Sequence, residues 1–147
     1  MSSRPPVAVV TTISSDAHTW NLVHLQLVLE ERGWQVINLG SCTPVDLVVR
    51  SLTEADADLL VVSTVNGHGL LEVPSLLDAV LRVPERLRPP VVLGGKLTTH
   101  GEIGDGEVRR LRERGFAEVF RGETAVDAFR SYLSGFAVTS TSTATAA

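Results

Sequence analysis

The feature that most constrains the fold is a regular alternation between short apolar runs and longer stretches of helical periodicity. This alternation is typical of a parallel sheet whose strands are joined by crossover helices. Strands are predicted at residues 7–12, 35–39, 58–63, 90–93 and 118–120, and helices at 20–32, 44–54, 73–87, 105–115 and 124–133. The expected fold class is therefore α/β, with a doubly wound five-stranded parallel sheet of the flavodoxin-like or Rossmann-like type.

Composition and charge limit the partners. The chain has 147 residues, 44% of them hydrophobic, which is enough for one compact core. The formal net charge is −4 without a basic cluster, so neither nucleic acid nor a membrane surface is expected as a partner. No apolar run approaches the roughly 18–20 residues that cross a bilayer. With no signal-peptide core and a single cysteine, Cys42, the expected location is the cytoplasm.

The C-terminal end differs in composition from the rest of the chain. From Gly135 onward Ser, Thr and Ala dominate, and such a segment lacks the apolar surface needed to fold. Residues 1–135 are therefore expected to form the domain and residues 136–147 a disordered tail. Cys42 follows the second strand and is expected to be a small, at least half-buried hydrophobic residue.

Three loops are the first places to look for a ligand site. In a doubly wound sheet, ligands bind beyond the carboxyl ends of the strands, where the strand order reverses. The loops after strands one, three and four comprise residues 13–19, 64–69 and 94–98. They are rich in glycine, hydroxyl groups and histidine, so the backbone can approach a bulky ligand and polar groups can orient it.

The first loop contains Asp16 and His18, two residues apart. A carboxylate at this spacing can accept a hydrogen bond from the imidazole, which fixes the tautomer and raises the basicity of the nitrogen that faces a metal. The same pair is also typical of an ordinary loop histidine with an acidic neighbour. Its interpretation therefore depends on the other two loops.

Three spaced motifs resemble the cobalamin-binding domain of corrinoid enzymes in which a protein histidine replaces the cofactor's own base. They are Asp16-Ala17-His18 in the first loop, Ser63-Thr64-Val65 at the end of strand three, and Gly94-Gly95 at the end of strand four. The family pattern reads Asp-x-His-x-x-Gly, Ser-x-Leu and Gly-Gly, and the resemblance extends over residues 7–133. Within that superfamily the chain is most similar to the small subunit of glutamate mutase, also called methylaspartate mutase.

The resemblance implies a role for each matching residue. His18 would be the lower axial ligand of the cobalt, with Asp16 behind it. Ser63 would hydrogen bond to the displaced base of the nucleotide tail, and Gly94 and Gly95 would leave room for that tail. The other cofactor-binding residues implied are Ser15, Ala17 and Thr19 under the corrin, Thr64 and Val65 along the slot, and Lys96, Leu97 and Thr98 along the tail.

Two positions depart from the family pattern. Asn21 stands where the family has glycine three residues after the axial histidine, and Glu123-Thr124 replaces a Gly-Thr near the start of the last helix. Asparagine is among the best N-cap residues, so Asn21 is expected to cap the first helix. Both departures concern the nucleotide tail more than the axial ligand.

The resemblance also implies an activity and a partner. The cofactor would be adenosylcobalamin, and the reaction the interconversion of glutamate and 3-methylaspartate by a heteromeric isomerase. The three loops contain no cluster of arginines that would bind an amino-acid substrate. A larger subunit, by resemblance a barrel, is therefore expected to supply the substrate site. No catalytic residue is expected in this chain, and the chain is expected to be inactive without that subunit.

Other functions stay open from the residues. One is a corrinoid methyl-carrier protein. Such proteins usually have a helical domain before the corrinoid domain, whereas six residues precede strand one here. Another is a flavodoxin-like domain in which the hydroxyl-rich residues 11–15 bind the phosphate of FMN. A third is a nonheme metal site formed by His18, His68 and His100.

Overall fold

Five parallel strands and five α-helices make up the described part of the chain. The computed structural model describes residues 4–136. Its strands are β1 (Val7–Thr11), β2 (Gln35–Asn38), β3 (Leu59–Thr64), β4 (Val91–Gly95) and β5 (Glu118–Phe120). Its helices are α1 (Trp20–Glu31), α2 (Val45–Ala55), α3 (Gly69–Leu81), α4 (Asp105–Arg114) and α5 (Ala125–Ser134), with a 3-10 turn at Glu85–Leu87.

The order of the strands explains where a ligand site can form. The sheet has the order β2-β1-β3-β4-β5, and every neighbouring pair is parallel. The order reverses between β1 and β3, because the chain leaves β1 toward one edge and returns to β3 on the other side. A crevice therefore opens at the carboxyl ends of β1 and β3. The predicted doubly wound α/β fold is confirmed.

The alternation of side chains along the strands divides the core into two layers. Leu60 and Val62 of β3 pack in the layer that contains α2, α3 and α4. Leu59 and Val61 pack in the opposite layer, with α1 and α5. By the same alternation, Ser63 at the end of β3 faces α1, and the next residue, Thr64, faces the other layer.

One predicted helix differs from the structure, and the other elements agree within two residues at each end. The helix predicted at residues 73–87 begins at Gly69 and ends at Leu81, and Glu85–Leu87 forms a separate turn. Pro84 prevents a continuous helix because it lacks an amide hydrogen and its ring clashes with the preceding turn. The earlier start brings α3 up to the loop after β3.

The ends of the chain fall largely outside the described residues. Of the predicted disordered segment 136–147, only Phe136 is described; its ring packs edge-on against Trp34, with centroids 5.1 Å apart. Residues 137–147 lie outside the described part. No helix within residues 4–136 is both long and apolar enough to cross a membrane.

Gly95→Ala is expected to lower the free energy of unfolding by about 3 kcal/mol or more. Gly95 has a φ of +105°, and a Cβ there would overlap the carbonyl oxygen of Thr64 on the neighbouring strand. Gly33→Ala is the matched control: its φ is +85°, but a Cβ would meet nothing within 4 Å, so a loss of only about 1 kcal/mol is expected. Urea denaturation measures both, and equal losses would contradict the explanation.

Candidate functional site

The buried side chain of Asp16 connects the two strands that flank the crevice. It is 0% exposed, in the loop after β1. Its Oδ1 accepts hydrogen bonds from the backbone N–H of His18 at 2.9 Å and from Nδ1 of the same residue at 2.7 Å. Its Oδ2 accepts hydrogen bonds from Thr64 Oγ1 at 2.7 Å and from the backbone N–H of Val65 at 2.8 Å. The carboxylate therefore holds the loop after β1 against the end of β3.

These hydrogen bonds also keep Asp16 ionised. Burial by itself would raise the pKa of the carboxyl group, because it disfavours the charged form. The hydrogen bonds from Thr64, His18 and Val65 favour the charged form and outweigh burial, so the pKa of Asp16 lies well below its usual range. A fixed negative charge thus lies directly behind the imidazole.

The imidazole of His18 is held at one nitrogen and exposed at the other. Its side chain is 61% exposed although its partner carboxylate is buried. An ionised carboxylate only accepts hydrogen bonds, so Nδ1 carries the hydrogen and the lone pair of the neutral ring lies on Nε2. Nε2 has no hydrogen-bond partner within residues 4–136. This is the arrangement expected of a histidine that binds a metal through Nε2.

Small, exposed side chains surround the imidazole. Ala17 and Thr19 are both exposed. Ser15 is exposed as well, and its hydroxyl accepts a hydrogen bond from Asn66 Nδ2 at 3.0 Å and donates to Glu72. The loop after β3 and the first turn of α3 therefore hold the loop after β1 in place. Together these exposed residues form the surface around His18.

An apolar cavity of about 180 Å³ lies next to this surface, between α1, α5 and the ends of β3 and β4. Its lining contains four of the predicted residues, namely Ser63, Val65, Gly94 and Gly95. The other walls include Leu25 of α1, Phe120 of β5, and Ala125, Val126 and Phe129 of α5. Gly94 contributes no side chain to this wall, and a Cβ there would lie 3.4 Å from the carbonyl oxygen of Phe120. The cavity suits a flat, largely apolar heteroaromatic group.

Asn21 lies at the polar end of this cavity. Its Nδ2 donates to Ser63 Oγ at 3.0 Å and to the carbonyl oxygen of Ser63 at 3.3 Å. The prediction that Asn21 caps α1 is wrong: the helix begins at Trp20, after an N-cap residue, Thr19, that makes no side-chain cap. The Asn21 side chain instead turns toward the sheet, because a partly buried amide requires a polar partner, which Ser63 provides.

The remaining predicted residues lie outside the cavity. Thr64 is on the opposite face of β3, where it donates to Asp16. Lys96 is exposed and Leu97 is 3% exposed, and both line a neighbouring cleft of about 350 Å³. Thr98 Oγ1 donates to the carbonyl oxygen of Gly101 at 2.8 Å. The structure thus groups the predicted residues into an imidazole surface, an apolar cavity and an adjoining cleft.

The three-histidine alternative is wrong. Within residues 4–136 no three His, Cys, Asp or Glu side chains come together to hold a metal ion. His68 and His100 are exposed on separate loops. A single histidine such as His18 is sufficient only for a metal whose other coordination positions are occupied by a cofactor. Cobalt in a corrin is such a metal.

Sequence reasoning missed several contributors to the site. The apolar walls from α5 were not assigned, and neither were Asn66 and Glu72, which hold Ser15. Cys42 was expected to be at least half-buried, but it is exposed, and its backbone N–H donates to the carbonyl oxygen of Asp16 at 2.7 Å. Glu72 was a usable signal, because a helix that begins at Gly69 places this residue in its first turn, beside the first loop.

Asp16→Asn is expected to destabilise the protein at neutral pH by about 1–3 kcal/mol, because an amide cannot accept all four hydrogen bonds. The folded-state pKa of Asp16 is lowered, so its stabilisation is complete above the unfolded value of about 3.9 and is lost as the pH falls through the folded value. The difference in the free energy of unfolding between wild type and variant should therefore become smaller below about pH 4.

Free energies of unfolding from pH 2 to 7 test this expectation. Glu113→Gln, at an exposed position, is the control and should stay within about 0.5 kcal/mol of wild type. A gap for Asp16→Asn that is constant with pH would show that ionisation of this carboxyl group does not contribute to stability.

Comparisons with known proteins agree with this geometry. Residues 6–130 match the B12 binding domain family. A glutamate mutase sigma subunit from Halobacterium salinarum is 31% identical over 128 residues, which are 87% of this chain and 85% of that protein. A second glutamate mutase sigma subunit, from Fusobacterium nucleatum, is 26% identical over 81% of this chain and 87% of its own length.

A solved structure shows the same fold. A cobalamin-binding protein from Desulfitobacterium hafniense superposes with a TM-score of 0.71 at 19% identity, covering 91% of this chain and 60% of that one. The family match spans the sheet, the Asp16–His18 loop and the apolar cavity. The chain therefore belongs to the B12 binding domain family and, within it, to the glutamate mutase sigma subunits.

Proposed function

We propose that this chain is the cobalamin-binding small subunit of an adenosylcobalamin-dependent carbon-skeleton isomerase that interconverts glutamate and 3-methylaspartate together with a larger, barrel-type catalytic subunit. The observation that carries the proposal is the Asp16–His18 pair. A buried, ionised carboxylate orients an imidazole whose other nitrogen is exposed. The names of the sigma-subunit relatives supply the class of reaction.

The residues present fit a cobalamin bound without its own base on the cobalt. His18 Nε2 would ligate the cobalt, and Asp16 would hold the imidazole ring in position. The apolar cavity beside Ser63 would take the displaced heteroaromatic base, since its walls are almost entirely hydrocarbon. When bound, adenosylcobalamin supplies the radical chemistry of the rearrangement through its weak cobalt–carbon bond.

The substrate site is proposed to belong to the larger subunit. Glutamate carries two carboxylates, which proteins usually bind with arginine. Residues 13–19, 65–68 and 96–104 contain no arginine, and Lys96 is their only lysine. Arg121, which lines the cleft next to Lys96, pairs with Asp105 and donates to the carbonyl oxygen of Ile103. This chain would therefore position the cofactor, and its partner would bind the amino acid.

We also propose that the protein works in the cytoplasm. Its single cysteine, Cys42, is an exposed free thiol. Exposed unpaired thiols are typical of reducing compartments.

Electron paramagnetic resonance of bound cob(II)alamin tests the axial ligand. Coordination by one ¹⁴N nucleus splits each cobalt line into a triplet, and ¹⁵N coordination splits it into a doublet. With ¹⁵N-histidine-labelled protein and unlabelled cofactor, a doublet is expected, because the coordinating nitrogen comes from His18. A persistent triplet would mean that the cofactor keeps its own base and would overturn the proposal.

Three variants complete this test. His18→Gly should abolish the doublet, and His100→Gln, at an exposed histidine in another loop, should leave it unchanged. Asp16→Asn should keep the doublet but bind about ten- to a hundredfold more weakly, as expected for loss of the group that orients a ligating histidine.

Activity is expected to require both subunits. The chain with adenosylcobalamin should not convert glutamate to 3-methylaspartate, because it has no site for the two carboxylates. Conversion should begin when the large subunit of a glutamate mutase is added, and it should be lost with His18→Gly. Turnover by this chain alone would refute the assignment of the substrate site, and transfer of a methyl group from bound methylcobalamin would indicate a methyl carrier instead.

A further inference from the structure

The two polar atoms of the Asn21 amide have different environments. Nδ2 donates to the hydroxyl and to the carbonyl oxygen of Ser63. Oδ1 is buried and has no hydrogen-bond partner among the described residues. The orientation of the amide follows from chemistry: with the two atoms exchanged, Oδ1 would face the Ser63 carbonyl oxygen, and two acceptors do not pair. Oδ1 is therefore the atom that lacks a partner.

Residues 4–136 offer Oδ1 no donor, and water is a poor substitute. The cavity that Asn21 lines is walled mainly by hydrocarbon, including Leu25, Val126 and Phe129. Its other polar side chains are Ser63 and the exposed His24, and neither donates to Oδ1. A buried water typically requires several polar partners, and an apolar cavity of this kind does not provide them. A buried acceptor without a donor is costly and calls for an explanation in a native structure. The group that enters the cavity is the remaining source of a donor.

Ser63 completes a pair of complementary groups. Its hydroxyl oxygen accepts from Asn21 Nδ2, so its own hydrogen stays available to donate. The polar end of the cavity thus presents one donor, Ser63 Oγ–H, and one acceptor, Asn21 Oδ1. A ligand edge with an acceptor next to a donor matches this pair. Adenine has such an edge, because a ring nitrogen lies beside its exocyclic amino group. The edge of dimethylbenzimidazole carries methyl groups and a ring acceptor but no donor.

We propose that Asn21 is a specificity-determining residue that makes the cavity prefer a corrinoid with an adenine base in its tail over one with a benzimidazole base. The inference rests on the proposed function, since it assumes a displaced tail base in this cavity. It concerns a position at which the chain departs from the glycine of the family pattern. Asn21 Oδ1 accepts a hydrogen bond from the amino group of the base, and Ser63 donates to the adjacent ring nitrogen.

Binding of three cob(II) corrinoids, with adenine, benzimidazole or dimethylbenzimidazole tails, tests the proposal. Adenine and benzimidazole are similar in size, so the ratio of their affinities reports hydrogen bonding. The ratio for benzimidazole and dimethylbenzimidazole reports the effect of size. The tails also differ in how readily they leave the cobalt. The quantity to compare is therefore the change in the adenine-to-benzimidazole ratio between wild type and variants, with affinities measured by titration of the visible spectrum.

Asn21→Leu keeps the approximate volume and removes the acceptor, so the ratio should fall by about fivefold to tenfold, the worth of one ordinary hydrogen bond. Asn21→Gly should lower the ratio similarly and also improve binding of the dimethyl tail. Glu31→Ala, at an exposed position of the same helix, should keep the wild-type ratio. Thermal unfolding of each variant verifies that it is folded.

Two results would overturn the inference while leaving the proposed function intact. One is an unchanged ratio in both Asn21 variants. The other is a ratio that changes in Asn21→Gly but not in Asn21→Leu, which would assign the effect to side-chain volume. If instead no corrinoid binds, or if ¹⁵N-histidine protein gives no doublet with any of the three, both the inference and the proposed function are wrong.

Discussion

The Asp16 carboxylate is the interaction on which the site depends. It is fully buried, and each of its oxygens accepts two hydrogen bonds, one set from His18 and the other from the end of β3. Such an arrangement is available only where two strand ends lie side by side, which the reversal of strand order between β1 and β3 provides. Without the partners on β3, a buried charge this close to the sheet would be too costly to retain. The orientation of His18 is therefore a consequence of the topology.

The alternation of side chains along a strand lets one strand end serve two purposes. Ser63 faces the apolar cavity while Thr64 faces Asp16, because consecutive residues point to opposite sides of the sheet. The same alternation on β4 places Gly94 in the cavity wall. Gly95, one residue later, has a positive φ and packs against the backbone of Thr64. Gly95 also lines the cavity, but the close packing of the two strands is by itself enough to require a glycine there, so a Gly-Gly motif can have both a ligand-related and a structural cause.

Sequence alone predicted the fold and the Asp16–His18 pair, because both depend on local signals. Apolar runs and helical periodicity define the elements, and a two-residue spacing lets one side chain reach the other. The orientation of Asn21 was mispredicted because cap preference is a local tendency, and the contact with Ser63, which is 42 residues away in the sequence, overrides it. The cavity walls from α5 were missed for a similar reason: α1 and α5 line the same cavity because of the order of the strands, which periodicity does not specify.

The Asn21–Ser63 contact changes the energetics of cofactor binding. Leu22 and Leu29 are 0% exposed against the sheet, and Asn21 ties the start of α1 to the end of β3. These contacts involve no ligand, so the helix wall of the cavity is held by the protein itself. Little binding free energy is then needed to order α1. The main unfavourable contribution is instead the desolvation of the polar end of the cavity. Hydrogen bonds from a base to Ser63 and Asn21 offset it, whereas a base without a donor leaves Asn21 Oδ1 unpaired.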